Sequence, residues 1–365
     1  MAAGELFTIL LHTDGTAVCV PHSSPDYVEI PALEEGVTYT QVAAGTCDHI
    51  VLLRSDGAAV ACGTSNYEGE LEVPALSEGV RYIQADVDLA RTALLRSDGT
   101  AVSCGDNEHG EANIPELVGG LTYTQVAAGH GHTVLLRSDG TAVSCGWNAY
   151  GQCNIPELEE GASYTQVSCH WHHTVFLRSD GTAVACGANT YGQCDLPALL
   201  PGERYIQVSS GGGNAVLLRG DGTAVACGAN MCGQCDIPPL EEGVIYTQIS
   251  TAVGHTVFLR SDGTAVACGR MAHAVGIRPA RLPLQAWLAQ PNFFVQLSIV
   301  TDADIIEATC RNLSGDLLAS WIVPHNASGV MRSIDEMLAP GSRRLGVVLP
   351  DGRFASPHQT WQSLQ

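Results

Sequence analysis

The fold of this chain is decided by a stretch that reads Leu-Leu-Arg-Ser-Asp-Gly-Thr-Ala-Val-Ser-Cys-Gly at residues 135–146. Close copies of it recur along the chain, and their Asp-Gly pairs follow one another at intervals of 41 or 42 residues. The seven pairs are Asp14-Gly15, Asp56-Gly57, Asp98-Gly99, Asp139-Gly140, Asp180-Gly181, Asp221-Gly222 and Asp262-Gly263. A fixed period of this length is typical of solenoids, propellers and arrays. Function is therefore expected on a repeated surface, not in a single catalytic cleft.

Each period predicts three or four short strands and no helix. In the unit used as an example, Tyr123–Val126, Thr133–Leu136 and Thr141–Cys145 are apolar or β-branched runs. The turn at Ser138-Asp139-Gly140 suits a tight hairpin, because Asp and Gly tolerate positive φ. This pattern favours a blade of a β-propeller over a β-solenoid, whose coils are much shorter.

These motifs resemble the regulator-of-chromosome-condensation repeat family, whose members are seven-bladed propellers. The resemblance rests on Gly-x-x-His-Thr at 129–133, on the Asp-Gly hairpins and on a recurring Asn-x-x-Gly-Gln/Glu motif, and it covers residues 1 to about 280. It implies an all-β, seven-bladed propeller. The chain departs from the family by placing Cys where Trp often precedes the Gly, at Cys62, Cys104, Cys145, Cys186, Cys227 and Cys268.

A propeller must join its first and last blades, or it leaves open strand edges. The Tyr-x-Gln strand occurs six times, and Met1–Gly4 resembles the tail of a missing copy. Phe294–Ser298 matches Tyr164–Ser168 in pattern, so a strand within residues 293–300 could close the ring, which gives a propeller domain of 1–302. The alternative is that this strand opens the next domain.

Residues 303–365 predict a small α+β domain. Strands are expected at 305–310, 317–323 and 345–349, and the apolar residues between 330 and 338 recur with helical spacing. Hairpin, helix and strand follow in the order of a ubiquitin-like fold. The alternative is a cap that only seals the last blade.

Composition narrows the classes of partner. The net charge is −21, and no lysine occurs. This charge argues against binding nucleic-acid phosphates or an anionic membrane surface. No signal peptide or membrane span is evident in the sequence, which favours the cytoplasm, or the nucleus, and reduced cysteines. The chain is expected to be a monomer.

Clusters that could carry chemistry are few. The pair Cys232 and Cys235 could bind zinc only with two more ligands. Divergence between the repeats explains the pair better, since Cys153 and Cys194 occupy the position of Cys235 in two earlier repeats. Cys169-His170-Trp171-His172-His173 could approach His130, but no fixed spacing supports a specific metal. No catalytic motif stands out. The sequence therefore predicts no enzyme, no cofactor and no metal.

The surface feature that the sequence predicts is acidic. Loops of the form Pro-x-Leu-x-x-Gly precede the Tyr-x-Gln strands, and repeat symmetry would place their carboxylates on one rim. Such a rim would attract a partner with a basic surface; the alternative is an edge that only aids solubility. The predicted rim consists of Glu34, Glu35, Glu78, Glu116, Glu157, Glu159, Glu160, Glu241 and Glu242.

Several functions are compatible with these features. The first is a non-enzymatic scaffold that presents propeller loops to a protein partner. The second, implied by the resemblance, is an adaptor or truncated relative of HECT-type ubiquitin ligases that acts with ubiquitin-system components. A guanine-nucleotide exchange factor for a small GTPase is disfavoured. The resemblance implies that such a factor uses an extra segment that projects from the propeller, and the regular repeat spacing leaves little room for one. A secreted inhibitor is a fourth possibility, against which the N-terminal sequence counts.

Overall fold

The computed structural model describes residues 1–5, 7–21, 28–46, 49–64 and 66–270, and beyond them five strands. In the first part, three antiparallel strands form one sheet in each repeat, and the seven sheets are named blades 1 to 7. Their strands are β1–β3 (Ala2–Ala3, Phe7–Leu11, Ala17–Pro21), β4–β6 (Tyr39–Ala44, His49–Arg54, Ala59–Gly63), β7–β9 (Tyr82–Asp88, Arg91–Arg96, Ala101–Gly105), β10–β12 (Tyr123–Gly129, His132–Arg137, Ala142–Gly146), β13–β15 (Tyr164–His170, His173–Arg178, Ala183–Gly187), β16–β18 (Tyr205–Ser210, Asn214–Arg219, Ala224–Gly228) and β19–β21 (Tyr246–Thr251, His255–Arg260, Ala265–Gly269). The predicted seven-bladed architecture is confirmed, with three strands in each blade.

The Asp-Gly turn fixes each outer hairpin. Asp139 accepts hydrogen bonds from the backbone N–H and the hydroxyl of Thr141, at 2.9 and 2.7 Å. Gly140 has φ of +79°, and a Cβ at this position would overlap the side chain of Ser163. Glycine is required here for its conformation and for the space that it leaves.

The core lies between neighbouring blades. The middle strand of each blade is buried along almost its whole length, as in His132–Arg137, where only the arginine is partly exposed. Val134 and Leu136 of blade 4 pack against Tyr164 and Phe176 of blade 5, and equivalent clusters recur around the ring. Each seam is therefore an apolar interface that both of its blades must complete.

A glutamine on the first strand of most blades ties that blade to the next. The Nε2 of Gln166 donates to the Val208 carbonyl at 3.2 Å, and its Oε1 accepts the Val208 N–H at 2.9 Å. The side-chain amide thus satisfies a donor and an acceptor of the facing strand. The same two bonds start from Gln41, Gln84, Gln125 and Gln207.

A second ladder joins several of the blades through a histidine that begins the middle strand. Nε2 of His132 lies 3.0 Å from the Thr174 hydroxyl of the next blade, and His49 approaches Thr92 at 3.5 Å. Burial lowers the pKa of His132 to about 3, so this imidazole is neutral near pH 7. The threonine also donates to a backbone carbonyl of the preceding repeat, as Thr174 does to Gln152 at 2.9 Å.

The first and last blades meet directly. Ala2 and Ala3 pair with Ile9 and Thr8 as a short inner strand, which confirms the interpretation of Met1–Gly4. The Ala3 N–H donates to Ser250 Oγ at 2.9 Å, and the Met1 nitrogen donates to Gln248 Oε1 at 3.3 Å. These two bonds, together with the contact of the Thr8 hydroxyl with His255 Nε2 at 3.5 Å, join the last blade to the first.

The strand predicted to close the ring has a different partner. It is present as β22 (Gln296–Asp302), but it pairs antiparallel with β23 (Ile305–Arg311), to which β24 (Leu317–Pro324) is added. The resemblance to Tyr164–Ser168 indicated a strand without specifying its partner, and a closing role for this strand stays a prediction. The alternative, a strand that opens the next domain, agrees with this pairing.

The chain divides into two compact units, Met1–Pro279 and Ala280–Gln365, a boundary earlier than the predicted 302/303. The second unit also contains β25 (Val347–Val348) paired with β26 (Phe354–Ala355). The helix predicted between 330 and 338 lies outside the described residues, so the ubiquitin-like fold remains a prediction. Within the described part of the chain, no helix is long and apolar enough to cross a membrane.

Candidate interaction surfaces

The predicted acidic loops and the Asp-Gly turns lie at the same end of the blades, named here the acidic face. The loop before blade 5 turns at Gly161, whose φ is +81°, with a hydrogen bond from Ala162 N–H to the Glu159 carbonyl. The first strand then begins where Tyr164 N–H donates to the Gly140 carbonyl of the preceding turn at 2.8 Å. The same bond to the preceding Asp-Gly turn recurs at Tyr39, Tyr82, Tyr123, Tyr205 and Tyr246, so these loops lie beside the turns.

All nine predicted glutamates are exposed. Glu34 lies 3.6 Å from the Arg54 guanidinium, and no other member of the nine has an ion-pair partner among the described residues. The turn aspartates add further negative charge: Asp180 accepts two hydrogen bonds from Thr182, and these bonds lower its pKa. Eight of the nine glutamates are thus free to attract an external cation.

The charge of this face remains negative after its arginines are counted. Seventeen carboxylates occur here: the nine glutamates, the seven turn aspartates and Glu203. The arginines at this end are Arg54, Arg81, Arg96, Arg137, Arg178, Arg204, Arg219 and Arg260. Summed like charge of this kind speeds the approach of an oppositely charged partner.

An open cavity of about 600 Å³ lies at the same end, against blades 5 to 7. Its wall combines Thr165, Ile206 and Thr247 with the leucines that precede the strand-ending arginines. Ile206 is 47 % exposed. The acidic face therefore offers apolar contact area beside its carboxylates.

The opposite end of blades 4 and 5 carries a group of aromatic rings that was not predicted from the sequence, although two of its histidines, His130 and His172, were considered as metal ligands. Five rings pack together, with centroid distances between 4.8 and 5.4 Å. Trp147 contacts three of them, and Tyr150 is 52 % exposed. This set, named here the aromatic cluster, consists of His109, His130, Trp147, Tyr150 and His172.

The repeat brings these rings together from three periods. Trp147 follows β12, and its backbone N–H donates to the Gly131 carbonyl at 2.6 Å. His172 lies in the turn between β13 and β14, where its carbonyl accepts the N–H of Ala188 at 2.7 Å. The residue beside it, Trp171, is 36 % exposed and has φ of +33°, a conformation that is uncommon for a bulky residue.

The histidines that were weighed as metal ligands belong to this region. His170 is buried, and His172 stacks on Tyr150 at 4.8 Å. Burial lowers the pKa of both, and His130 lowers that of His172 further. Within the described ranges, no three His, Cys, Asp or Glu side chains are arranged to hold a metal ion.

The described cysteines are free thiols in structural positions. Cys145 Sγ lies 3.3 Å from the Glu111 carbonyl, and burial raises its pKa to about 11. Cys235, of the Cys-x-x-Cys pair, contacts the Ala229 carbonyl at 3.3 Å, and burial raises its pKa to about 11 as well. Such thiols are poor nucleophiles at neutral pH.

The comparisons with known proteins agree with the repeat. Residues 123–152 and 164–193 match the model of the Regulator of chromosome condensation (RCC1) repeat. No curated protein matches the chain in a sequence search.

Solved structures share the fold at low sequence identity. Prp20p from Saccharomyces cerevisiae, whose binding properties to Gsp1p and histones have been described, is 18 % identical over 64 % of this chain and 72 % of its own, with a TM-score of 0.55. Human WBSCR16 is 17 % identical over 68 % of this chain and 79 % of its own, with a TM-score of 0.54. The ectodomain of the Arabidopsis thaliana receptor kinase ACR4 is 15 % identical over 73 % of this chain and 93 % of its own, and its TM-score is also 0.54. At these identities the likeness indicates an RCC1-like propeller fold and does not assign a function.

Proposed function

We propose that the chain is a non-enzymatic protein-interaction scaffold and that its acidic face receives a partner with a basic surface. The observation that carries the proposal is the set of eight exposed glutamates without an ion-pair partner among the described residues. Surface charge left unpaired in this way contributes little to folding and much to steering. The described binding properties of Prp20p to Gsp1p and histones support a protein partner for this kind of fold.

The cavity beside the acidic loops supports the same proposal. Glu159 and Glu160 precede one strand that contributes to its wall, and Glu241 and Glu242 precede another. A basic segment that crosses this region would meet carboxylates first and apolar area at Ile206 next. Charge would then set the rate of encounter, and the apolar contact would hold the complex.

The test compares two charge-matched pairs of substitutions. Partners are first captured from lysate with the intact chain, and a purified partner is then followed by surface plasmon resonance. Glu241→Gln with Glu242→Gln is expected to lower the association rate several-fold and to flatten its dependence on salt. Glu68→Gln with Glu72→Gln removes the same charge from the other end of the blades and is expected to change neither.

The comparison of the two pairs decides between binding and solubility. Net charge changes equally in both, so a general effect of charge would appear in both variants. Equal association rates for the two pairs would leave the acidic face with a solubilising role only.

A further inference from the structure

The repeat itself provides a control for the aromatic cluster. The position of Trp147 is occupied by Ala188 and Ala229 in the next two periods, and each donates the same backbone hydrogen bond as Trp147. The turn that holds Trp171 and His172 in blade 5 holds Gly212 and Gly213 in blade 6. Alanine and glycine are thus sufficient for the fold at these positions, and the rings add nothing that the backbone requires.

The cluster has the properties of a preorganised contact surface. Its rings fix one another: Trp147 stacks on His109 at 5.3 Å and meets Tyr150 edge-on at 5.4 Å. Rings held in this way lose little conformational entropy when a partner binds. Trp171 adds exposed aromatic area in a strained backbone conformation, which tends to persist at functional positions.

The charges around the cluster are negative. Glu108 precedes His109 on the same turn and is exposed, and its backbone N–H bonds to the Asp106 carboxylate at 3.0 Å. The nearby Asp88 is buried, with its Oδ2 unpartnered among the described residues. Arg91, the first residue of β8, is only 2 % exposed and donates to the carbonyls of Gly129 and His132, so it does not neutralise this region's surface.

We infer that the aromatic cluster is a second binding site, which takes an arginine-bearing segment of a partner protein. A guanidinium uses both kinds of group present here, because it stacks on aromatic rings and forms planar hydrogen bonds with carboxylates. A lysine ammonium is a compact, strongly hydrated charge and gains less from the rings. An anionic ligand finds no exposed cation in the cluster.

The test uses two synthetic peptides of equal length and charge, one with arginines and one with lysines between glycines and serines. Binding is measured by calorimetry at about 0.5 M salt, where contacts between exposed charges are screened. The native protein is expected to prefer the arginine peptide about five-fold. A variant with Trp147→Ala, Trp171→Gly and His172→Gly, which restores residues that the repeat uses elsewhere, is expected to lose this preference.

Two controls separate this site from the acidic face. Tyr67→Ala removes an aromatic side chain that is 90 % exposed and lies outside the cluster, and the preference is expected to remain. Glu241→Gln with Glu242→Gln is expected to weaken both peptides equally at low salt and to leave their ratio unchanged. Equal affinity for the two peptides in the native protein, or an unchanged preference in the triple variant, would overturn the inference whatever the acidic face does.

Discussion

At the scale of single residues, the ladder between blades is interrupted at Ala215. This position is threonine in blades 1, 3, 4, 5 and 7. The threonine faces a histidine of the preceding blade, or Arg91 or Asn214 where these replace the histidine. His173 consequently meets no side-chain partner among the described residues, although it is fully buried. A buried polar group without a partner costs about 1–3 kcal/mol.

Ala215→Thr is therefore expected to stabilise the protein by about 1 kcal/mol, since the new hydroxyl can reach both His173 and the Gln193 carbonyl. Chemical denaturation measures the change. Thr174→Ala makes the equivalent vacancy beside His132 and is expected to destabilise by a similar amount. Unchanged or lower stability of Ala215→Thr would show that the seam cannot accept the larger side chain.

At the scale of elements, the first strands surround a cavity of about 230 Å³ on the axis of the propeller. One position on these strands is Ala43, Ala127, Ser168, Ser209 or Ser250 in other blades, but Asp86 in blade 3. Asp86 accepts the Ala128 N–H at 2.9 Å, and Ser168 and Ser209 accept equivalent N–H groups. Burial raises the pKa of Asp86 to about 7.

Asp86→Ser should keep the hydrogen bond and remove the charge. In the folded chain the carboxyl holds its proton to a higher pH than when unfolded, so its ionisation destabilises the fold progressively as pH rises from about 4 to about 7. The variant is therefore expected to gain stability at pH 8 relative to the native protein and less at pH 5. Melting temperatures at the two pH values measure this, and an equal gain at both would contradict the assignment to ionisation.

Much of each element could be predicted from the sequence, because its signals are local. The Asp-Gly turns specified hairpins, and alternation in Tyr-x-Gln specified the first strands. The aromatic cluster was missed because Trp147 and Tyr150 lie in the loop after β12 and His172 lies in the turn between β13 and β14, and only the seam between blades 4 and 5 brings them together. The signal available in the sequence was that these residues differ from those at the equivalent positions of the other repeats.

The exposure of the acidic loops could also be predicted, since Glu159 and Glu160 lie beside a glycine that turns the chain outward. The pairing partner of the strand near Phe294 could not be predicted, because an apolar pattern indicates a strand but does not indicate which strand lies next to it. Ring closure instead depends on Ala2 and Ala3, a strand too short to carry a periodic signal of its own.

At the scale of the whole molecule, seven blades are complete within residues 1–279, and the last blade is bonded to the first. A fragment of residues 1–279 is expected to fold alone and to unfold in a single cooperative transition. Circular dichroism with thermal melting tests this. Loss of the transition would show that the propeller depends on residues 280–365.

A closed ring of repeats has no end from which to fray, so a blade can detach only if both of its seams open together. In blade 6 the histidine–threonine ladder is interrupted on both sides. His173 lacks a threonine partner across one, and no hydrogen bond joins Asn214 to Thr256 across the other among the described residues. Local opening should therefore release this blade as a unit, and its amide protons should exchange with solvent ahead of those in the remaining six.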